Sequence, residues 1–196
     1  MKQIIRNEIR ESASNFNAIC DDEALVERIA EVATVCVAAL GRGNKILFAG
    51  NGGSAADAQH IATELTVRYN TDRPAIAALA LTTDSSALTA IGNDFNFDSI
   101  FSRQVEALVK PNDFVIGIST SGNSPNVLLG LAKAKELGCR TGALSGRGGG
   151  KLRDVADILL VVPSQVTARI QEMHIIIAHS LCEAIERELG YSNPAS

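Results

Sequence analysis

Lys45–Tyr69 reads KILFAGNGGSAADAQHIATELTVRY, and the fold turns on how this stretch is read. Lys45 to Ala49 is a short apolar run of the kind that forms a buried strand. Gly50-Asn51-Gly52-Gly53 is a turn built from residues that reach unusual backbone conformations cheaply. Ser54 is placed as a helix N-cap, and Asp57 three residues on completes a capping-box pattern. The helix that follows directs free N–H groups and a positive dipole end at whatever fills the turn, which favours an anion. His60 and Glu64 are four residues apart and share one helix face. Strand–Gly turn–helix is common, and a His/Glu pair at this spacing is often only a solvated helix pair. Together they point to a site for a charged small molecule.

Towards the N-terminus the chain is helical. Residues 2–20 place Ile5, Ile9, Ala13 and Phe16 at helical spacing. Glu23 to Leu40, with Asp21-Asp22 ahead of it, repeats apolar residues at three- and four-residue steps, and Gly41-Arg-Gly43 stops it. These helices either cover a sheet face, join copies of the chain, or form a simple extension.

Towards the C-terminus strands and helices alternate. Apolar runs at 75–81, 113–118, 140–144 and 157–162 are the further strands. A short helix through Ile91 is expected, interrupted at Gly92-Asn93-Asp94. Amphipathic runs over Phe97–Leu108 and from Ser124-Pro125 to Leu137 are helices, and a last one spans about Thr167 to Leu189. The tail from Gly190 is expected to fray. Strands separated by helices mean βαβ units and a parallel sheet with right-handed crossovers. The expected architecture is therefore α/β: a three-layer, flavodoxin-like, doubly wound five-stranded sheet over 44–190. The N-terminal helices of 1–43 precede it and a tail of 191–196 follows. The polar loops at 50–54, 82–86 and 119–124 each follow a strand, so they gather on the sheet edge where such folds bind ligands.

Bulk properties exclude several classes. A chain of 196 residues with 46% hydrophobic content and no Trp has an aliphatic core and is too apolar to be disordered. A formal net charge of −4 gives no general bias towards nucleic acid or anionic membranes. Neither a membrane-spanning stretch nor a signal-peptide h-region is visible, which sets a cytoplasmic expectation. Cys20, Cys36, Cys139 and Cys182 are far apart and read as buried free thiols.

Ser119-Thr120-Ser121-Gly122-Asn123-Ser124 offers four hydroxyls ahead of a helix N-terminus. The loop has no Lys and no GxxxxGK[ST] pattern, so it is not a nucleotide P-loop. Hydroxyls and amides without a metal-phosphate apparatus suit a sugar monophosphate that is held but not cleaved. The ordinary alternative is a polar turn with a Ser/Thr cap.

GNGGSAADAQHIATEL, IGNDFNFDSIFSRQVEAL and ISTSGNSPNV together resemble the sugar isomerase (SIS) family. RIQEMHIIIAHSLCEAIE narrows the resemblance to its phosphoheptose isomerase branch, over nearly the whole chain. The resemblance implies aldose–ketose isomerisation of sedoheptulose 7-phosphate for heptose in lipopolysaccharide or capsule. It implies substrate contacts from Asn51, Gly52, Gly53, Glu64, Asn93, Asp94, Gln171 and from Ser119, Thr120, Ser121 and Ser124, which hold the phosphate. It implies one zinc ion per subunit on His60, Glu64, Gln171 and His179, and a homotetramer with sites between subunits. The reaction needs a base beside the carbon and a second acid/base for oxygen, and Glu64 and His179 are the expected pair.

Helix geometry leaves one point open. Gln171 and His179 would lie ~12 Å apart along an ideal helix and ~80° around it, awkward for one metal. Either Gln171 precedes the regular helix or the two come from different subunits. By spacing alone His174 competes with His179; the resemblance chooses His179, leaving His174 as a polar core or interface residue. Two other functions compete: a non-catalytic relative that binds the replication initiator DnaA, and an isomerase of another sugar phosphate.

Overall fold

Parallel strand β1 (Ile46–Gly50) is buried along its whole length and lies inside a five-stranded sheet. Its neighbours are β2 (Ala78–Ala80) on one side and β3 (Phe114–Ser119) on the other, followed outward by β4 (Arg140–Ser145) and β5 (Ile158–Val161). Every pairing is parallel and the order is β2-β1-β3-β4-β5, so the strand order reverses between β1 and β3. This is the doubly wound sheet expected, and its crevice opens at that reversal. The structure, a computed structural model, describes residues 1–191.

Alternation along the buried strands sorts side chains to two faces. Ile46, Phe48, Phe114, Ile116, Ile118, Leu144 and Leu160 enter one core layer, while Leu47, Ala49, Val115 and Ala143 enter the other. The first layer is closed by α2 (Glu23–Gly41), α3 (Gly53–Thr66) and α8 (Thr167–Glu188). The second is closed by α5 (Ile100–Leu108), α6 (Pro125–Glu136) and α7 (Leu152–Val155), with α4 (Ser85–Asp94) alongside. Helix α2 is part of the core, contributing Leu25, Val32, Cys36 and Ala39, and Asp22 caps it by accepting from Leu25 N–H at 3.0 Å. Helix α1 (Lys2–Cys20) lies outside that layer against α8 and buries only Ile19.

Several expectations need correction. The helix after the first turn begins two residues early: Gly52, with φ 55° and ψ −121°, is its N-cap. Ser54 is buried inside the first turn instead, and its side chain makes no cap bond. Helix α4 is not interrupted at Gly92-Asn93-Asp94 but runs through them to Asp94. The second strand is three residues long, not seven, because only Ala78–Ala80 pair with β1. The short α7 was not anticipated. Cys20 is exposed; the other three free thiols are buried as expected. Gly190 and Tyr191 close α8, with Tyr191 N–H donating to Glu186 O at 2.9 Å; the rest of the expected frayed tail lies outside the described residues. Among the described residues no helix is long and apolar enough to cross a membrane.

Asp113, just ahead of β3, ties the sheet's N-terminal edge together. Its buried carboxylate accepts from Lys45 N–H (3.0 Å), Lys110 N–H (2.8 Å), Asn44 Nδ2 (3.0 Å) and Lys45 Nζ (2.6 Å). Burial raises its pKa, but the Lys45 and Lys110 bonds outweigh it and leave the group below its ordinary value. A depressed carboxyl stabilises the fold above the unfolded-state pKa and loses that contribution as pH falls through the folded value. Asp113→Asn is expected to cost about 2 kcal/mol at neutral pH. In urea unfolding the gap from the parent should narrow on acidification below about pH 4.

Candidate active site

The turn after β1 and the loop after β3 face each other across the strand-order reversal. Asn51 and Asn126 join them by a reciprocal amide pair: Asn51 Nδ2 donates to Asn126 Oδ1 at 2.8 Å and Asn126 Nδ2 to Asn51 Oδ1 at 2.9 Å. Asn126 is buried and was not anticipated. The side chain of Asn51, expected to meet substrate, is thus largely engaged in holding the two loops together.

Around the second loop, Ser119 and Ser124 hydroxyls lie 2.9 Å apart, with Ser121 Oγ 3.5 Å from Ser119 Oγ. Ser124 is the N-cap of α6, but its hydroxyl turns to Ser119 and makes no cap bond. Pro125 has no N–H, and Asn126 Oδ1 takes that of Val127 at 2.9 Å. The helix therefore offers an anion fewer amides than its position suggests, and the loop hydroxyls are the larger set of polar groups at that end. From behind, Ser145 Oγ donates to Ser119 O at 2.8 Å. His174 is buried beside the Ser145 backbone.

On α3, His60 Nε2 is 3.1 Å from Glu64 Oε1, as one helix face requires. From α8, His179 brings its Nε2 to 3.3 Å from His60 Nε2. The three ligand-type atoms lie within 4.8 Å of one another, so the chain itself brings three of the four expected ligands together. Tetrahedral metal bonds of about 2.0–2.1 Å place ligand atoms about 3.3 Å apart, which matches the 3.1 Å and 3.3 Å separations made by His60. Two imidazole nitrogens and a carboxylate are also a donor set suited to zinc.

Gln171 sits inside α8, not before it. A Cβ on Gly53 would fall 2.2 Å from Gln171 Nε2, so the amide occupies the space the glycine leaves open. Seven helical residues separate Gly53 from His60, about 10 Å, so Gln171 lies towards the turn, away from the cluster. Asn93 and Asp94 are exposed at the end of α4, joined by an Asn93 Nδ2 to Asp94 Oδ1 bond of 2.8 Å. They share no hydrogen bond with the other expected site residues among the described ones. Asp57 accepts no capping bond; its Oδ2 is buried without a partner, and burial raises its pKa against the pull of His60.

Tyr69 was also missed. Its ring stacks on His179 with centroids 5.6 Å apart and planes at 27°. Five residues after Glu64 and beyond the helix end, it carries no periodic signal.

A glycine turn and a hydroxyl loop meeting at the strand-order reversal of a five-stranded parallel sheet fit the SIS class, and residues 10–146 match the SIS domain family. The phosphoheptose isomerase of Akkermansia muciniphila is 50% identical over 189 residues, covering 96% of this chain and 98% of that one. The solved phosphoheptose isomerase from Neisseria gonorrhoeae superposes with a TM-score of 0.89 at 44% identity, covering 95% of this chain and 98% of that one. One from Francisella tularensis gives 0.90 at 37% identity, covering 94% and 97%. The chain belongs to the SIS-domain family and, within it, to the phosphoheptose isomerases.

His174 has neither ring nitrogen hydrogen-bonded, and burial lowers its pKa to about 4 against the smaller opposing effect of the Ser145 backbone. It is a neutral packing residue, as expected. A depressed histidine pKa means the unfolded chain binds the proton first, so stability falls as pH drops from about 6.5 towards 4. His174→Met is expected to flatten that part of the stability–pH curve, measured by denaturant unfolding between pH 4 and 7.

Proposed function

We propose that this chain is an aldose–ketose isomerase that converts sedoheptulose 7-phosphate to D-glycero-D-manno-heptose 7-phosphate through an enediol. The observation that carries the reading is the convergence of His60, Glu64 and His179 in a chain that also carries the hydroxyl loop at the sheet's ligand edge. Family membership supports the substrate class.

In this reading Ser119, Thr120, Ser121 and Ser124 hold the phosphate, and Gly52, Gly53, Asn93 and Asp94 line the sugar's path. Glu64 moves the proton between neighbouring carbons, and His179 moves protons at the carbonyl and hydroxyl oxygens. Their proximity lets one enediol be reached from both sides. His60, Glu64 and His179 would hold a zinc ion, which as a Lewis acid polarises the substrate oxygens when bound. Gln171 completes that set only if its amide leaves Gly53 or another subunit supplies it; otherwise it is a sugar contact.

Ile4, Ile5 and Ile9 are more than half exposed on α1 in the single chain. That apolar face supports the homotetramer, with α1 packed between copies. A cytoplasmic location and service to lipopolysaccharide or capsule heptose complete the proposal. The initiator-binding alternative is disfavoured because the Gly turn and the cluster are both intact. An isomerase of a different sugar phosphate is disfavoured by the match to phosphoheptose isomerases over nearly the whole chain.

Incubation with sedoheptulose 7-phosphate, with and without chelator, tests the reading. The aldose product should form, and chelator should slow it reversibly, with added zinc restoring the rate. Glu64→Gln should lower kcat by ~10²–10⁴-fold with the fold intact by circular dichroism. Near-normal turnover in that variant removes Glu64 from the chemistry.

A further inference from the structure

The imidazole of His179 is held on two sides. One is the edge of His60, with centroids 5.0 Å apart and planes at 65°; the other is the face of Tyr69. Histidines in reactive clusters are usually oriented by a hydrogen bond at the second ring nitrogen. Here Nε2 faces His60, and among the described residues no protein group bonds Nδ1. The Tyr69 ring is the contact that lies along the face of the imidazole.

Tyr69 is itself fastened by an unusual amount of buried polar structure. Glu186 Oε1 accepts from Tyr69 N–H at 3.0 Å, and Oε2 from Asn70 N–H at 3.2 Å and Thr71 N–H at 3.3 Å. The same carboxylate accepts from Arg73 Nε at 2.7 Å, both side chains being almost wholly buried. Arg73 then reaches back to α3: Nη2 donates to Glu64 O at 2.9 Å and Nη1 to Leu65 O at 2.8 Å. These carbonyls end a helix and have no partner within it. Burial raises the Glu186 pKa, but the Tyr69, Arg73 and Asn70 bonds outweigh it and hold the group below its ordinary value. The carboxylate is therefore charged at neutral pH.

Glu186 lies seven residues after His179 on α8, two turns on and on the same face. One ion pair thus connects the helix end that carries Glu64, the loop that carries Tyr69 and the helix that carries His179. We propose that Arg73 and Glu186, acting through Tyr69, are positioning residues that set the plane of the His179 imidazole relative to Glu64. The inference rests on the isomerase reading for its kinetic arm alone.

The test uses the full chain with three substitutions. Tyr69→Leu removes the ring but keeps the backbone N–H that Glu186 binds; Tyr69→Phe keeps the ring. Glu186→Gln keeps the shape and removes the charge. Tyr69→Leu should lower kcat for sedoheptulose 7-phosphate by about tenfold or more and leave KM within about twofold. Tyr69→Phe should restore the parent rate. A crystal structure of metal-free Tyr69→Leu should show His179 turned away from its 3.3 Å approach to His60, and zinc affinity by calorimetry should fall by about tenfold. Glu186→Gln, or Arg73→Lys in its place if it does not fold, should reproduce both effects, and a folded variant with both unchanged overturns the proposal. The proposal is overturned if Tyr69→Leu leaves His179 in place with zinc affinity unchanged. It is equally overturned if Tyr69→Phe is as impaired as Tyr69→Leu, since the hydroxyl would then be what matters. An inactive parent enzyme would remove the isomerase reading but leave the crystallographic and calorimetric arms to decide this one.

Discussion

A parallel sheet returns the chain to the same end before every strand, so the loops that leave the strands all open on one edge. That constraint places the site. In the order β2-β1-β3-β4-β5 the helices after β1 and β3 leave on opposite faces, and the crevice between them cannot be filled by either. The Gly turn and the hydroxyl loop are the walls of that crevice. The Asn51–Asn126 amide pair bridges them, which keeps two otherwise independent loops at a set distance.

A second feature converts this crevice into a candidate catalytic site. Helix α8 crosses back over the sheet and packs beside α3, so residues more than a hundred positions apart in sequence meet. Gln171 comes to rest on Gly53 near the start of α3, and His179 on His60 further along. A side chain at position 53 would remove the space for the amide. The C-terminal end of the same contact is closed by Arg73 and Glu186, a pair whose hydrogen bonds are otherwise satisfied by backbone. Burying such a pair costs desolvation, and it is retained where breaking it would leave a charge unpaired.

Much of this was legible in the residues. Alternating apolar runs and amphipathic stretches specified five strands and the order of elements, because period two and period 3.6 are direct consequences of backbone geometry. His60 and Glu64 were legible as a pair because four residues is one helical turn. Errors fell where local rules compete. Ser54 looked like a cap, but Gly52 takes the non-helical conformation more cheaply and starts the helix first. Gly92-Asn93-Asp94 looked like a break, but a helix tolerates them in its last turn before Phe95. Asn126, Tyr69, Arg73 and Glu186 carried no local signal, since each acts across a distance that sequence spacing does not encode.

The sequence by itself determined the class of fold, the edge of the sheet on which a ligand sits and the chemical character of its groups, because these follow from periodicity and residue type. Spacing left His174 and His179 level and only the resemblance favoured His179; the tertiary structure decided the matter physically, by bringing His179 and not His174 to His60 and Glu64. Both histidines lie on α8, but one side of that helix faces α3 and the other faces the sheet. Which face meets which neighbour is set by how the whole apolar surface of the helix packs, a sum over many residues that no short pattern records.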